Sequence, residues 1–232
     1  MNEAEFDRFA DEYRQMHTAN IRASGEGPEY FAEYKIADVA KLLPAARYPD
    51  GPSVLDFGAG VGASVPYFRR YFPRARLTCL DVSRKSLALG ASQHPGEAEF
   101  VHFDGNRIPF PDAHFDLTFL ACVLHHIPHA EHVGILRELH RVLRPSGTLV
   151  VFEHNPYNPL TVHAVNTCPF DENAVLLKPQ QLRSRFAAAG FAAPAVRFRI
   201  FFPRALRALR RLEPAMTWIP FGAQYFVYAS KN

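Results

Sequence analysis

Four carboxylates stand at the ends of apolar runs: Asp56 in PSVLDF, Asp81 in ARLTCLD, Asp104 in AEFVHFD and Glu153 in GTLVVFEH. One such acid is commonly a helix cap or a turn residue, but four together point to a polar site along one edge of a sheet. Asp56 also precedes an alternating glycine turn, Gly58-Ala59-Gly60-Val61-Gly62. Glycine lets the backbone turn sharply and lets a ligand approach where a side chain would collide. Two chemistries suit this turn. Gly58, Gly60 and Ala63 satisfy G-x-G-x-x-A, with Asp81 at the spacing of a ribose-binding acid, as in a dinucleotide site. A pyrophosphate, however, would be repelled by Asp56 at the mouth of the loop, whereas a ligand carrying an ammonium group would be attracted.

A second group of candidates follows the run HFDLTFLACV. His125, His126, His129 and His132 cluster in sequence, and imidazole serves both as a general base and as a metal ligand. The spacing crosses Pro128 and brings no carboxylate into the pattern, so no metal site is assigned from it. His125 and His126 directly follow the run and are the candidate bases for removing a proton from an acceptor, with Glu153 in reserve. They read equally as scaffold. Glu153 and His154 are strand neighbours pointing to opposite faces, which argues against a dyad. Cys122 reads as a small buried residue.

The elements that must position these residues alternate. Phe6, Phe9, Ala10, Tyr13 and Met16 give Glu3 to His17 helical spacing, and Glu29 to Leu43 repeats the pattern after SGEGP. Strands are then expected at PSVLDF, ARLTCLD, AEFVHFD, HFDLTFLACV and GTLVVFEH, with helices between them at Ala63 to Tyr71, from Ser83 as N-cap to Leu89, and at Ala130 to Leu143. Strands alternating with helices imply right-handed parallel crossovers and an α/β, doubly wound, mostly parallel sheet. NPYNPLTVHAVNTCPFDENAVLL is too long for an ordinary connection and is a candidate lid or substrate loop. A helix from Pro179 to Ala189 follows, then AVRFRIFF and QYFVYAS as a sixth and a seventh strand with a helical insertion between them.

Composition sets the frame. The chain has 232 residues, 48% hydrophobic and 21% charged, enough apolar material for a core, and at this length one domain is expected. We divide it into a helical cap (1–45), a cofactor-binding core (46–154) and a segment of substrate loop, helices and last strands (155–232). The longest uncharged apolar run, Leu117 to Leu124, is too short to span a bilayer, and the start is acidic without a signal-like apolar region, so a cytoplasmic protein is expected. Cys79, Cys122 and Cys168 are too few and too scattered for a disulfide framework. The net charge of +3 conceals a basic stretch: residues 197–212 carry six arginines and no acid, leaving the remainder at −3. That confinement argues against a nucleic-acid partner. At about 100° per residue, Arg204, Arg207, Arg210 and Arg211 share one helix face and Leu206, Leu209 and Leu212 the other. Such a helix either packs on the domain with its arginines solvated or touches an anionic membrane surface.

The order VLDFGAGVGAS, LTCLDVS, FDGNRIPFPDAHFDLTFLACVLHHI, ILRELHRVLRPSGTLVVFEH resembles the successive motifs of class I S-adenosylmethionine-dependent methyltransferases, notably the small-molecule, ubiquinone/menaquinone methyltransferase-like group. The match runs from Val54 to His154. Ser146 departs from it, standing where the family usually has glycine in a Pro-Gly-Gly turn. The resemblance implies a seven-stranded Rossmann-like fold and S-adenosylmethionine as cofactor, a ligand with an ammonium, a sulfonium, a ribose and an adenine but no phosphate. It implies that Asp56, Gly58, Ala59 and Gly60 line the methionine moiety, that Asp81 with Val82 holds the ribose, that Asp104 with Gly105 meets the adenine, and that Ala121 passes beneath the cofactor. Tyr13 and Tyr30 are the candidate contacts from the N-terminal helices. The implied activity is methyl transfer to a small-molecule or lipid-like acceptor, most suitably a hydroxyl. Rival readings are an NAD(P)-dependent oxidoreductase, a macromolecule methyltransferase and a non-catalytic cofactor-binding relative.

Overall fold

The structure, a computed structural model, describes Ile21 and residues 24–232. The expected helix at Glu3 to His17, and Tyr13 with it, lie outside the described residues. Seven strands follow in chain order: β1 (Ser53–Phe57), β2 (Arg76–Asp81), β3 (Glu99–His102), β4 (Phe115–Ala121), β5 (Leu143–His154), β6 (Ala195–Arg199) and β7 (Gln224–Ser230). They form one sheet in the order β3-β2-β1-β4-β5-β7-β6. The first five are parallel, and β7 lies antiparallel between β5 and β6. Every residue of β1 is buried, as a central strand covered on both faces requires.

Helices cover those faces: α1 (Pro28–Leu42), α2 (Val65–Tyr71), α3 (Arg84–Gln93), α4 (His132–Val142), α5 (Pro159–Asn166), α6 (Pro179–Ala188) and the short α7 (Glu213–Met216). Successive strand side chains alternate between two cores. Leu55, Leu120 and Val151 pack toward α4 and α6, with Leu136 and Phe186. Val54, Phe119 and Phe152 pack toward α1 and α2, with Ile36 and Phe68. Two side-chain caps fix helix starts beside the site: Ser83 accepts from the Ser86 amide at 3.0 Å, and Asn158 from the Leu160 and Thr161 amides at 3.0 and 3.1 Å.

Four expectations need correcting. β3 stops at His102, so Asp104 is a loop residue two positions beyond it. The 155–177 stretch holds α5 and a 3-10 turn, Pro169–Asp171. β5 is longer than expected, beginning at Leu143 and including Ser146, which sits at φ +64 where the family usually has glycine. Arg204–Leu212 is a 3-10 helix kinked at Leu206. Its sequence, R-A-L, R-A-L, R-R-L, repeats every three residues and so suits three residues per turn. Leu206, Leu209 and Leu212 are exposed, while Arg210 donates to Glu26 Oε1 at 2.8 Å and stacks 4.7 Å from the Tyr30 ring centroid. The segment is therefore held through an arginine, the reverse of a leucine-packed helix with solvated arginines.

Candidate active site

Strand β1 pairs with β2 on one side and β4 on the other, so the order reverses beyond its carboxyl end, where parallel sheets open a crevice. The glycine turn fills this position, with Gly58, Gly60 and Gly62 all at positive φ. Gly58 and Gly60 are required for different reasons. A Cβ on Gly58 would lie 2.5 Å from Val123 Cγ2, so Gly58 is needed for packing. A Cβ on Gly60 would meet nothing within 4 Å, leaving open space for a ligand beside that backbone. The Gly60 amide donates to Asp81 Oδ2 at 2.8 Å and the Ser83 amide to Oδ1 at 2.9 Å, which fixes the Asp81 carboxylate at the end of β2.

Asp56 is buried and accepts a hydrogen bond from the Ser64 hydroxyl. Burial raises its pKa to about 7; the Ser64 bond lowers it and nearby Asp81 raises it further. A desolvated carboxylate of this kind is stabilised in its charged form by a cation placed against it.

A cavity of about 660 Å³ opens here, and Asp56, Gly58, Ala59, Gly60, Asp81, Val82 and Ala121 all line it. Asp104 and Gly105 do not. Asp104 is exposed and accepts from the Asn106 amide at 2.9 Å, which makes it the acid of its own turn, while Phe103 faces the cavity in its place. Tyr30 is engaged by Arg210, and Pro28, Glu29, Phe31, Ala32 and Lys35 are the α1 residues on the cavity wall.

The far end of the same cavity is formed by His125, His126, His154 and Asp171. Glu153, fully buried, accepts from the Leu124 amide at 2.9 Å and pairs through Oε2 with His125 Nδ1 at 2.6 Å. Asp171 Oδ1 lies 3.6 Å from His125 Nε2 and 3.4 Å from His126 Nε2. Burial opposes charge on His125, but Glu153 and Asp171 on either side overcome it and raise its pKa to about 10. Burial and the charge on His125 lower His126 to about 3 and His154 to about 4. The two carboxylates thus favour the protonated form of His125. Glu153 does not line the cavity and acts on His125. His132 Nε2 pairs with the Ile127 carbonyl at 2.8 Å, and His129 Nε2 lies 3.5 Å from the Val175 carbonyl, so these two serve the scaffold.

Three residues had no functional signal in the sequence. Asp171 lies 45 residues beyond His126, and its approach depends on the Val175 amide bonding the His125 carbonyl at 2.8 Å. Lys35 occupies a helical position indistinguishable from surface lysines, yet is buried with Nζ donating to the Phe31 carbonyl at 2.9 Å. Ser64 was legible only as a residue following the glycine turn.

The donor set fits S-adenosylmethionine: an ionisable buried carboxylate for the ammonium, open space beside Gly60, and a fixed carboxylate at Asp81 for the ribose hydroxyls. Comparison with known proteins agrees. Residues 55–151 match the family model described as a methyltransferase domain. A ubiquinone/menaquinone biosynthesis C-methyltransferase, UbiE, of Ectopseudomonas mendocina is 33% identical over 127 residues, covering 52% of this chain and 49% of the relative. The chain thus aligns with about half the length of the curated relatives it matches. Among solved structures, a SAM-dependent methyltransferase from Aquifex aeolicus superposes with a TM-score of 0.64 at 19% identity, over 89% of this chain and 95% of that one. The [4+2]-cyclase SpnF superposes at 0.62 and 19% identity, over 86% and 81%. At such identities the structural likeness speaks for the fold alone. The matched motifs, the sheet order and the carboxylate-lined glycine turn converge: residues 55–151 match a methyltransferase domain, and the site they build is one that S-adenosylmethionine fits.

Proposed function

We propose that the chain moves the methyl group of S-adenosylmethionine onto a small-molecule or lipid-like acceptor, with a hydroxyl as the best-suited group. One observation carries this reading: a single cavity joins the Asp56, Gly60 and Asp81 end to a histidine-rich end. Methyl transfer from a sulfonium is an in-line displacement, and its barrier falls chiefly when donor and acceptor are held in line away from water. As the new carbon–oxygen bond forms and the carbon–sulfur bond breaks, the hydroxyl proton must leave. His126 on the cavity wall is the group placed to assist. The curated relatives are named C-methyltransferases, which supports a second reading, transfer to a carbon; where an adjacent hydroxyl activates that carbon, the same deprotonation serves.

The test is incubation of the protein with methyl-labelled cofactor and a metabolite or lipid extract, followed by identification of the labelled product. The expected product is a methyl ether or a C-methylated phenol. Label appearing only in protein or nucleic acid would contradict the reading. With that acceptor in hand, His126→Ala is expected to keep S-adenosylhomocysteine affinity and lose roughly 10²-fold in turnover.

The same proposal extends to Arg204–Leu212. Exposed leucines along one edge of a 3-10 helix, with Arg207 and Arg211 beside them, match the composition of a segment that lies on anionic lipid. Flotation with phosphatidylglycerol vesicles is expected to carry the protein upward in low salt and less in high salt. Equal recovery with neutral vesicles would remove the membrane from the account.

A further inference from the structure

We propose that His125, His126 and Asp171 bind one divalent transition-metal ion of the Zn²⁺ class at the acceptor end of the cavity. Three ligand atoms, one from each residue, lie within 4.8 Å of one another. The two measured edges, 3.6 Å from His125 Nε2 to Asp171 Oδ1 and 3.4 Å from His126 Nε2 to the same oxygen, are the relevant test. An ion held tetrahedrally at ordinary Zn–N and Zn–O distances separates its ligand atoms by roughly 3.4 Å. The two separations to Asp171 therefore match those around an ion, and the third, between the histidines, lies within 4.8 Å.

The surroundings supply what a metal centre needs beyond its ligands. A metal-binding histidine commonly gives its other ring nitrogen to a carboxylate, which fixes the tautomer and turns the remaining lone pair toward the ion. Glu153 does this to His125: it bonds Nδ1 at 2.6 Å, is itself held by the Leu124 amide, and leaves Nε2 facing Asp171. The loop bearing Asp171 is tied to the histidine turn through the Val175 amide and the His125 carbonyl, and His126 packs edge-on against Phe170 with ring centroids 5.0 Å apart. Two imidazoles and a carboxylate suit Zn²⁺, Co²⁺, Mn²⁺ or Fe²⁺ in preference to the all-oxygen environment of Mg²⁺ or Ca²⁺.

Three protein ligands leave a coordination position open, and here it opens on the cavity. With an ion bound, His126 would be a ligand in place of a proton acceptor: on the methyltransferase reading, the open position would take the acceptor oxygen and acidify it, its proton passing to solvent before the methyl group arrives. Ion binding itself does not depend on that reading. The rival account of the same geometry is a protonated His125 bridging two carboxylates with no ion at all.

The experiment uses untagged, EDTA-dialysed protein titrated with Co²⁺ alone, read by calorimetry and by visible d–d absorption, with Zn²⁺ added afterwards in competition. One Co²⁺ per chain is expected, displaced by one Zn²⁺. Asp171→Asn and His126→Ala should each weaken binding at least tenfold, and Glu153→Gln by roughly 10- to 100-fold. S-adenosylhomocysteine affinity, measured on every variant, reports whether the fold and the donor end survive. Loss of that affinity in wild type would count against the cofactor assignment and not against the metal. The metal proposal is overturned by no saturable Co²⁺ binding in wild type, or by binding unchanged in Asp171→Asn with the fold intact.

Discussion

Burial of Asp56, with the charge of Asp81 nearby and against the lowering effect of the Ser64 bond, holds its carboxyl at about 7, well above its ordinary value. Between about pH 4 and 7 the folded protein keeps a proton on Asp56 that the unfolded chain has lost. Its contribution to stability is therefore full below about pH 4 and is lost as pH rises through about 7. Asp56→Asn removes that penalty while keeping a side chain of the same size and an acceptor for Ser64. The variant is expected to raise the thermal midpoint of the ligand-free protein at pH 8, by an amount on the order of a few kcal/mol of stability, with the gain shrinking toward zero near pH 4. The same variant should lose at least tenfold in S-adenosylhomocysteine affinity at pH 8, because the amide gives the ammonium no charge. Thermal scans at both pH values check the first expectation. A gain independent of pH would show that Asp56 does not titrate as described. At this scale the sequence was legible where chemistry and spacing coincide. Asp56, Gly58, Gly60 and Asp81 were all visible because a glycine turn after an apolar run restricts where the flanking acids can be. Asp104 was expected at the end of a strand and stands in the turn after β3, since an acid ending a strand and an acid in the next turn look alike in one dimension.

Elements were legible wherever burial imposes a period. The apolar runs of β1, β4 and β5 and the 3.6-residue spacing of α4 identify themselves, and β7 falls at the expected seven residues. Arg204–Leu212 shows the opposite case. A triplet repeat satisfies both a loose amphipathic α-helix and a 3-10 helix, and only its anchorage through Arg210 to Glu26 and Tyr30 decides between them. Asp171 was invisible for a related reason, since its position depends on how the 155–177 stretch folds back on the histidine turn. Ser146 offers a direct test of local backbone physics. Its φ of +64 lies in the left-handed region, which a non-glycine residue occupies at a cost. Its amide bond to the Lys231 carbonyl at 2.9 Å does not involve the side chain. Ser146→Gly is therefore expected to stabilise the protein by roughly 0.5–1 kcal/mol, read as a rise in denaturant midpoint with unchanged slope. A fall in midpoint would mean that the Ser146 side chain makes a contribution the backbone argument omits.

On the scale of the molecule, the fold separates two tasks along one cavity. The glycine turn and the ends of β1 and β2 present carboxylates to a cationic nucleoside, while the turn after β4, the end of β5 and the stretch following it present imidazoles and Asp171 to whatever lies opposite. The doubly wound sheet accounts for the first task, because its reversal between β1 and β4 opens the crevice at that place. The second also draws on His154 and Asp171, outside the matched 55–151 segment, which is why the acceptor is less visible in the sequence than the donor. Among the described residues no helix is long and apolar enough to cross a membrane. The most direct test of the central claim, that this cavity is built for S-adenosylmethionine, is calorimetric titration of wild type and Asp81→Ala with S-adenosylhomocysteine and, separately, with NAD. The account predicts saturable 1:1 binding of S-adenosylhomocysteine to wild type, at least tenfold weaker in Asp81→Ala, whose ribose contacts are charge-assisted hydrogen bonds, and no comparable binding of NAD. Equal S-adenosylhomocysteine affinity in the two proteins, or tighter binding of NAD, would contradict it.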